Sequence, residues 1–294
     1  MTRDGCRLPD SRRYSAVAAR SPSLLAPLVA LLMSCGPQTT TRNPNGEGSE
    51  GSPDAGSEPG LDPAIGREHV LPYGARTVYV YADPTLDHEV ARLFSLLEDL
   101  RSEGATVGPE TRLPIGWTTL SFAVEGPQGE RLVVEEPDYA DHPETNTRQD
   151  ISVSLATLAR QRGVLERAKV AGEAINFDQH VLTIRGVLEL DEVLLLRVES
   201  PGGRLTGWRL TPTAGIVEAD ELESLPVYAI LEARPALLDA MLLPPGFMAS
   251  YVGDQLTAIV NERDEVVWDG SSSGAELEHR PGRSKAEPLL EPIP

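Results

Sequence analysis

Hydrophobic positions change period several times between Val70 and Gly270, and each change marks an element. Thr77 to Tyr81 (TVYVY) is β-branched and aromatic and predicts a strand. Asp83-Pro84 then supplies an N-cap and a proline at the first helical position. Leu86, Val90, Leu93, Phe94, Leu97 and Leu100 follow at helical spacing, and Gly104 closes the helix. Trp117 to Val124 and Arg131 to Glu135 predict a hairpin around Gly126-Pro127-Gln128-Gly129. Asp150 can cap a helix whose apolar face carries Ile151, Leu155, Leu158 and Leu165.

The second half is richer in strands. Runs 181–187 and 193–198 read as strands, and Pro201-Gly202-Gly203 turns into another through Trp208. Ser224 and Pro226 start a short helix, Pro235 starts a second, and strand-like runs 247–252, 255–260 and 265–268 end the pattern. Strands and helices alternate irregularly, with hairpins, and no internal repeat is evident. The pattern predicts the α+β class: a mixed, mainly antiparallel sheet with a few helices, open to division into subdomains 70–172 and 173–270.

Both ends lie outside this pattern. Leu24 to Met33 (LLAPLVALLM) is a ten-residue apolar run behind a basic, polar start, within the length of a signal-peptide core and too short to span a bilayer. It leads into Leu32-Met33-Ser34-Cys35-Gly36, which resembles the bacterial lipobox. The resemblance implies lipidation of Cys35, cleavage before it and acylation by palmitate-like chains; several chains make stable anchoring. Residues 1–34 are thus expected to be a signal peptide and 35–69 a lipidated cysteine on a disordered tether. Of residues 36–65, fourteen are Gly, Pro or Ser, a composition that cannot bury enough surface to offset its ordering entropy. Such a coil reaches on the order of 30 Å. Residues 271–294 have the same character and are expected to be a disordered tail. Gly36 stands where some lipoproteins carry an inner-membrane retention aspartate, which favours the outer membrane, with the domain in the periplasm or at the surface.

Charge narrows the partners. The chain has 26 Lys and Arg against 45 Asp and Glu, a net −19. Without residues 1–34 it has 21 against 43, or −22. Such a surface repels nucleic acid and anionic headgroups and speeds encounter with a basic protein. Cys6 and Cys35 are the two cysteines, so the mature chain has no disulfide framework.

Candidate chemistry is sparse. The five histidines are scattered, and no HExxH, CxxC pair, GxSxG, P-loop or GxGxxG occurs. The densest polar cluster is the acidic loop 135–144, with Glu135, Glu136, Asp138, Asp141, His142 and Glu144. It reads as a solvated loop, a divalent-metal site or a carboxylate pair, and it lacks the regular oxygen spacing of an EF-hand. Trp117 and Trp208 each follow a glycine at the start of a strand-like run. Packing is one reading of them and partner anchoring the other. No catalytic residue, metal or cofactor is expected. Glu135, Glu136, Asp138, Tyr139 and Trp208 are the candidate partner-binding residues.

Several stretches together resemble the bacterial immunity-protein family numbered thirty-three in polymorphic toxin systems. They are Ile115-Gly116-Trp117 with its strand and Glu136-Pro137-Asp138; the helix from Asp150 into Gln161-Arg162-Gly163-Val164; Thr206-Gly207-Trp208; and Leu225 to Gly246, ending Leu242-Leu243-Pro244-Pro245-Gly246. Together they cover roughly residues 110 to 270. Arg209 to Ala214 lacks the Cys- or His-containing stretch that the family often carries there. The resemblance implies a non-enzymatic protein that neutralises a toxin by binding it. With the lipobox, the expected function is a membrane-tethered immunity protein of the cell envelope, facing a basic toxin. The alternatives are an envelope lipoprotein that binds a structural or assembly partner, and a hydrolase using the 135–144 carboxylates.

Overall fold

The computed structural model describes residues 66–214 and 222–270. The signal region, Cys35, the tether up to residue 65 and the tail from 271 lie outside the described residues.

The first unit starts with two strands, β1 (Arg67–Tyr73) and β2 (Arg76–Ala82), paired antiparallel. The β1 strand lies where the sequence suggested the end of the tether. Its Pro72 cannot donate to a ladder, and an edge strand is where a sheet tolerates this. Asp83 caps the next turn as expected, its Oδ1 accepting from the Thr85 N–H at 2.8 Å. A 3-10 turn over Pro84–Leu86 leads into α1 (Asp87–Ser102), which buries Val90, Leu93, Leu96, Leu97 and Leu100. Next come β3 (Leu113–Ile115), β4 (Thr118–Glu125), β5 (Arg131–Pro137) and the two-residue β6 (Thr147–Arg148). The β4–β5 pair is the predicted hairpin. The β5 strand also pairs parallel with β2, giving the order β1-β2-β5-β4-β3 with β6 on the end of β5.

The α2 helix (Ser152–Ala168) joins the two halves. Asp150 works two residues ahead of it, accepting from Ser152 N–H through Oδ1 at 2.9 Å and from Gly66 N–H through Oδ2 at 3.0 Å. Ile151 and Leu155 belong to the core of the first sheet, whereas Val164, Leu165 and Ala168 belong to that of the second.

The second sheet uses β7 (His180–Ile184), β8 (Glu192–Arg197), β9 (Leu205–Pro212), β10 (Leu222–Pro226), β11 (Met248–Val252), β12 (Gln255–Val260) and β13 (Val266–Asp269). Their order is β10-β7-β9-β8-β11-β12-β13, antiparallel except for β7 beside β9. The β7 strand stops at Ile184, short of the predicted Val187, because Gly186 takes a positive φ into a 3-10 turn over Val187–Glu189. Ser224 and Pro226, read as the start of a helix, lie in a strand (Leu222–Pro226) against β7, and α3 (Val227–Ala233) follows directly. A 3-10 helix over Pro235–Ala240 replaces the second short helix expected from Pro235. The fold is α+β, with two mixed, mostly antiparallel sheets and a few helices.

Candidate functional site

The acidic loop divides into a buried half and an exposed half. Alternation along β5 sends Glu136 inward, between Glu135 and Pro137, and its side chain has no exposed surface. One carboxylate oxygen accepts from the Ser154 backbone N–H at 2.7 Å, in the first turn of α2, where a helix has unsatisfied donors and a favourable dipole. Arg148 Nε lies 3.2 Å from the other oxygen without aligning for a hydrogen bond. Burial pushes the Glu136 carboxyl up to about 7, against the Ser154 donors and the Arg148 charge. The group is a tertiary helix cap with no surface for a partner, which corrects its reading as a contact residue.

Tyr139 also turns inward. Its ring stacks on Trp117 with centroids 5.0 Å apart and meets Phe177 edge-on at 6.2 Å. Its hydroxyl lies 2.6 Å from Thr118 Oγ1 and 3.0 Å from Ser154 Oγ. Burial raises its pKa above the ordinary tyrosine value, so it stays neutral at any physiological pH. Glu135 and Asp138 remain half-exposed. Glu135 accepts from Thr147 Oγ1 at 2.7 Å, and Asp138 accepts from Ala140 N–H at 3.3 Å. Asp141, His142 and Glu144 complete an exposed rim, with Glu144 3.7 Å from Arg204 of the second unit. Among the described residues no group of three or more His, Cys, Asp or Glu is placed to hold a metal.

Trp208 is fully buried and likewise offers nothing to a partner. Its Nε1 donates to the Met241 carbonyl at 2.9 Å. Arg197, 2% exposed, is the residue that sequence reasoning missed here. Its Nη1 donates to the carbonyls of Leu243 at 2.7 Å and Glu173 at 3.1 Å, and its Nη2 meets Glu173 Oε1 at 2.9 Å. Its own backbone bonds Gly246 N–H and the Phe247 carbonyl. The signal was present: period-two alternation from Val193 and Leu195 puts Arg197 on the buried face. The segments Thr206-Gly207-Trp208 and Leu242-Leu243-Pro244-Pro245-Gly246, quoted apart in the sequence, thus meet around one guanidinium. Gly207 has φ +84°, and a Cβ there would sit 2.3 Å from the Val198 carbonyl oxygen, so no other residue fits without movement.

Two of the concavities among the described residues lie elsewhere. One of about 510 Å³ is lined by Tyr73, Arg76, Arg101 and Thr111; the other, of about 430 Å³, by Arg160, Arg167, Asp239 and Tyr251. Neither includes the acidic loop or Trp208. The hydroxyls of the Tyr139 cluster and the Glu136 carboxylate bond internally, between the sheet and helix α2.

Residues 160–262 match the family model of the Imm33-like domain. No curated protein and no solved structure is matched by the chain. The match begins within α2, between the part packed on the first sheet and the part packed on the second, and it ends just after β12. It contains the tryptophan and proline-glycine motifs that close on Arg197; Ile115-Gly116-Trp117 and Glu136-Pro137-Asp138 lie outside it. Residues 160–262 are thus an Imm33-like domain, assembled around the tryptophan and proline-glycine motifs that close on Arg197.

Proposed function

We propose that this chain is a membrane-tethered immunity protein that binds and neutralises a protein toxin in the cell envelope. The observation that carries the reading is the Imm33-like match over 160–262, whose motif residues form the scaffold of the second unit. An immunity-protein family implies a protein toxin as partner and inhibition by binding rather than by catalysis. The lipobox-like Leu32 to Gly36 adds the place: acyl chains on Cys35 hold the domain in the envelope, at the outer membrane in preference to the inner. The net charge of −19 adds the character of the partner, since acidic surfaces steer basic proteins and raise their on-rate.

Expression of the full chain together with a toxin domain, sought among the genes beside its own, tests the function. Cells making both should grow, and cells making the toxin alone should not. Growth arrest in both would end the immunity reading. Cys35→Ala tests the anchor: the variant should move from the membrane to the soluble fraction and take up no labelled fatty acid. Unchanged membrane retention would show that the chain is held by something else.

A further inference from the structure

Among the described residues, the helices of the second unit pack on one face of the second sheet. Val193, Leu195, Trp208, Leu210, Ala249 and Tyr251 enter the core shared with α2, α3 and the 235–240 helix. Strand alternation sends their neighbours to the opposite face. There the register aligns one residue from every strand. Ser224 stands opposite Leu182, Leu182 opposite Arg209, and Arg209 opposite Leu196. Leu196 in turn faces Met248, Met248 faces Val260, and Val260 faces Val266. Seven strands spaced at about 4.8 Å make this row roughly 30 Å long.

None of its five apolar residues belongs to either core. Leu182, Leu196, Met248 and Val260 are half-buried, and Val266 is 60% exposed. Arg209 is exposed, and its side chain makes no hydrogen bond or ion pair among the described residues. The solvated face of an antiparallel sheet ordinarily alternates to polar residues. Here it carries leucine, methionine and valine around one free guanidinium, the composition of an interface centre.

We propose that this face is the toxin-binding surface, and that the toxin presents an apolar strip with a carboxylate opposite Arg209. The inference rests on the immunity reading and names its interface. Charge complementarity selects the occupant. A second copy of the chain would bring the same row, which contains no acid, and would bury two guanidiniums without partners. An anionic membrane surface would meet a chain of net charge −19. A carboxylate on a different protein can pair with Arg209 through two parallel hydrogen bonds.

The test uses the full chain in cells that also express the toxin domain identified by the protection assay. A photo-crosslinking residue replaces Met248, or Glu98 on the exposed side of α1 as the control position. Arg209→Glu and Leu196→Asp are scored for cell protection, toxin Kd and melting temperature. We expect crosslinks to the toxin from position 248 and not from 98. Each substitution should weaken Kd on the order of thirtyfold, the scale of an interface hot spot, with the melting temperature within a few degrees of wild type. Arg209→Lys, which keeps the charge and loses the fork, should fall between. Protection that persists in both variants with no crosslink at 248 overturns this interface and leaves the immunity reading standing. A crosslink to a second copy, or to a protein other than the toxin, also overturns it. Absence of protection by the wild-type chain ends both.

Discussion

At Gly207 one methyl group sets the stability of the second unit. Its φ of +84° disfavours any side chain, and the Val198 carbonyl occupies the space a Cβ would need. Gly207→Ala should destabilise the protein by about 3 kcal/mol, read from denaturant unfolding. A loss below about 0.5 kcal/mol would mean that the β8–β9 turn moves aside freely. Glu136 gives a residue-scale prediction in pH. Burial lifts its carboxyl to about 7, above the ordinary 4.5. The folded chain therefore holds this proton more tightly than the unfolded one. The stability it contributes is full below about 4.5, declines as pH rises, and is gone above about 7. Glu136→Gln keeps an acceptor for Ser154 N–H and removes the titration. The wild type should lose on the order of 3 kcal/mol more than the variant across that window. Parallel stability curves for the two proteins would show that Arg148 and Ser154 keep Glu136 ionised throughout.

Helix α2 is the element on which the molecule turns. Its first turn is capped by carboxylates from two directions, Asp150 from its own chain end and Glu136 from β5. Arg162 on its middle turn binds both carboxylate oxygens of Glu89 on α1, with side chains 14% and 10% exposed. Removing one partner of such a pair leaves a charge poorly solvated. Arg162→Met should cost about 3 kcal/mol, and adding Glu89→Leu should return much of it. Thermal melting of both variants measures this; equal stability of the single and double variants would show that the exposed Arg92 takes over as the partner of Glu89. The helix was legible from Ile151, Leu155, Leu158 and Leu165, because helical spacing is local. Its service to two cores was not, because that depends on which sheet lies above each turn.

For the whole molecule, charge and site separate. The chain as a whole carries an acidic excess, net −19, while the candidate interface row is apolar around a single arginine. Toxin association should therefore slow by about tenfold or more from 50 to 500 mM salt, with dissociation little changed, as stopped-flow mixing would measure. Equal association rates at both salts would remove the acidic surface from the account. Of the five residues first singled out in the folded part, Glu135 and Asp138 stay at the surface, Tyr139 and Glu136 join sheet to helix, and Trp208 closes the Arg197 clasp. Polarity and aromaticity marked all of them. Burial divided them, and burial depends on neighbours from distant parts of the chain.

The elements that the sequence determined by itself are those made by nearby residues. Asp83-Pro84 begins a helix that Gly104 ends, four residues around Gly126 turn β4 into β5, and the three last strands follow from alternation. The tertiary structure decided the rest. Leu222 to Pro226 became a strand because β7 was there to pair with it. The row from Leu182 to Val266 exists through the register of seven strands, spanning 85 positions of the chain, whose pairing no local pattern encodes.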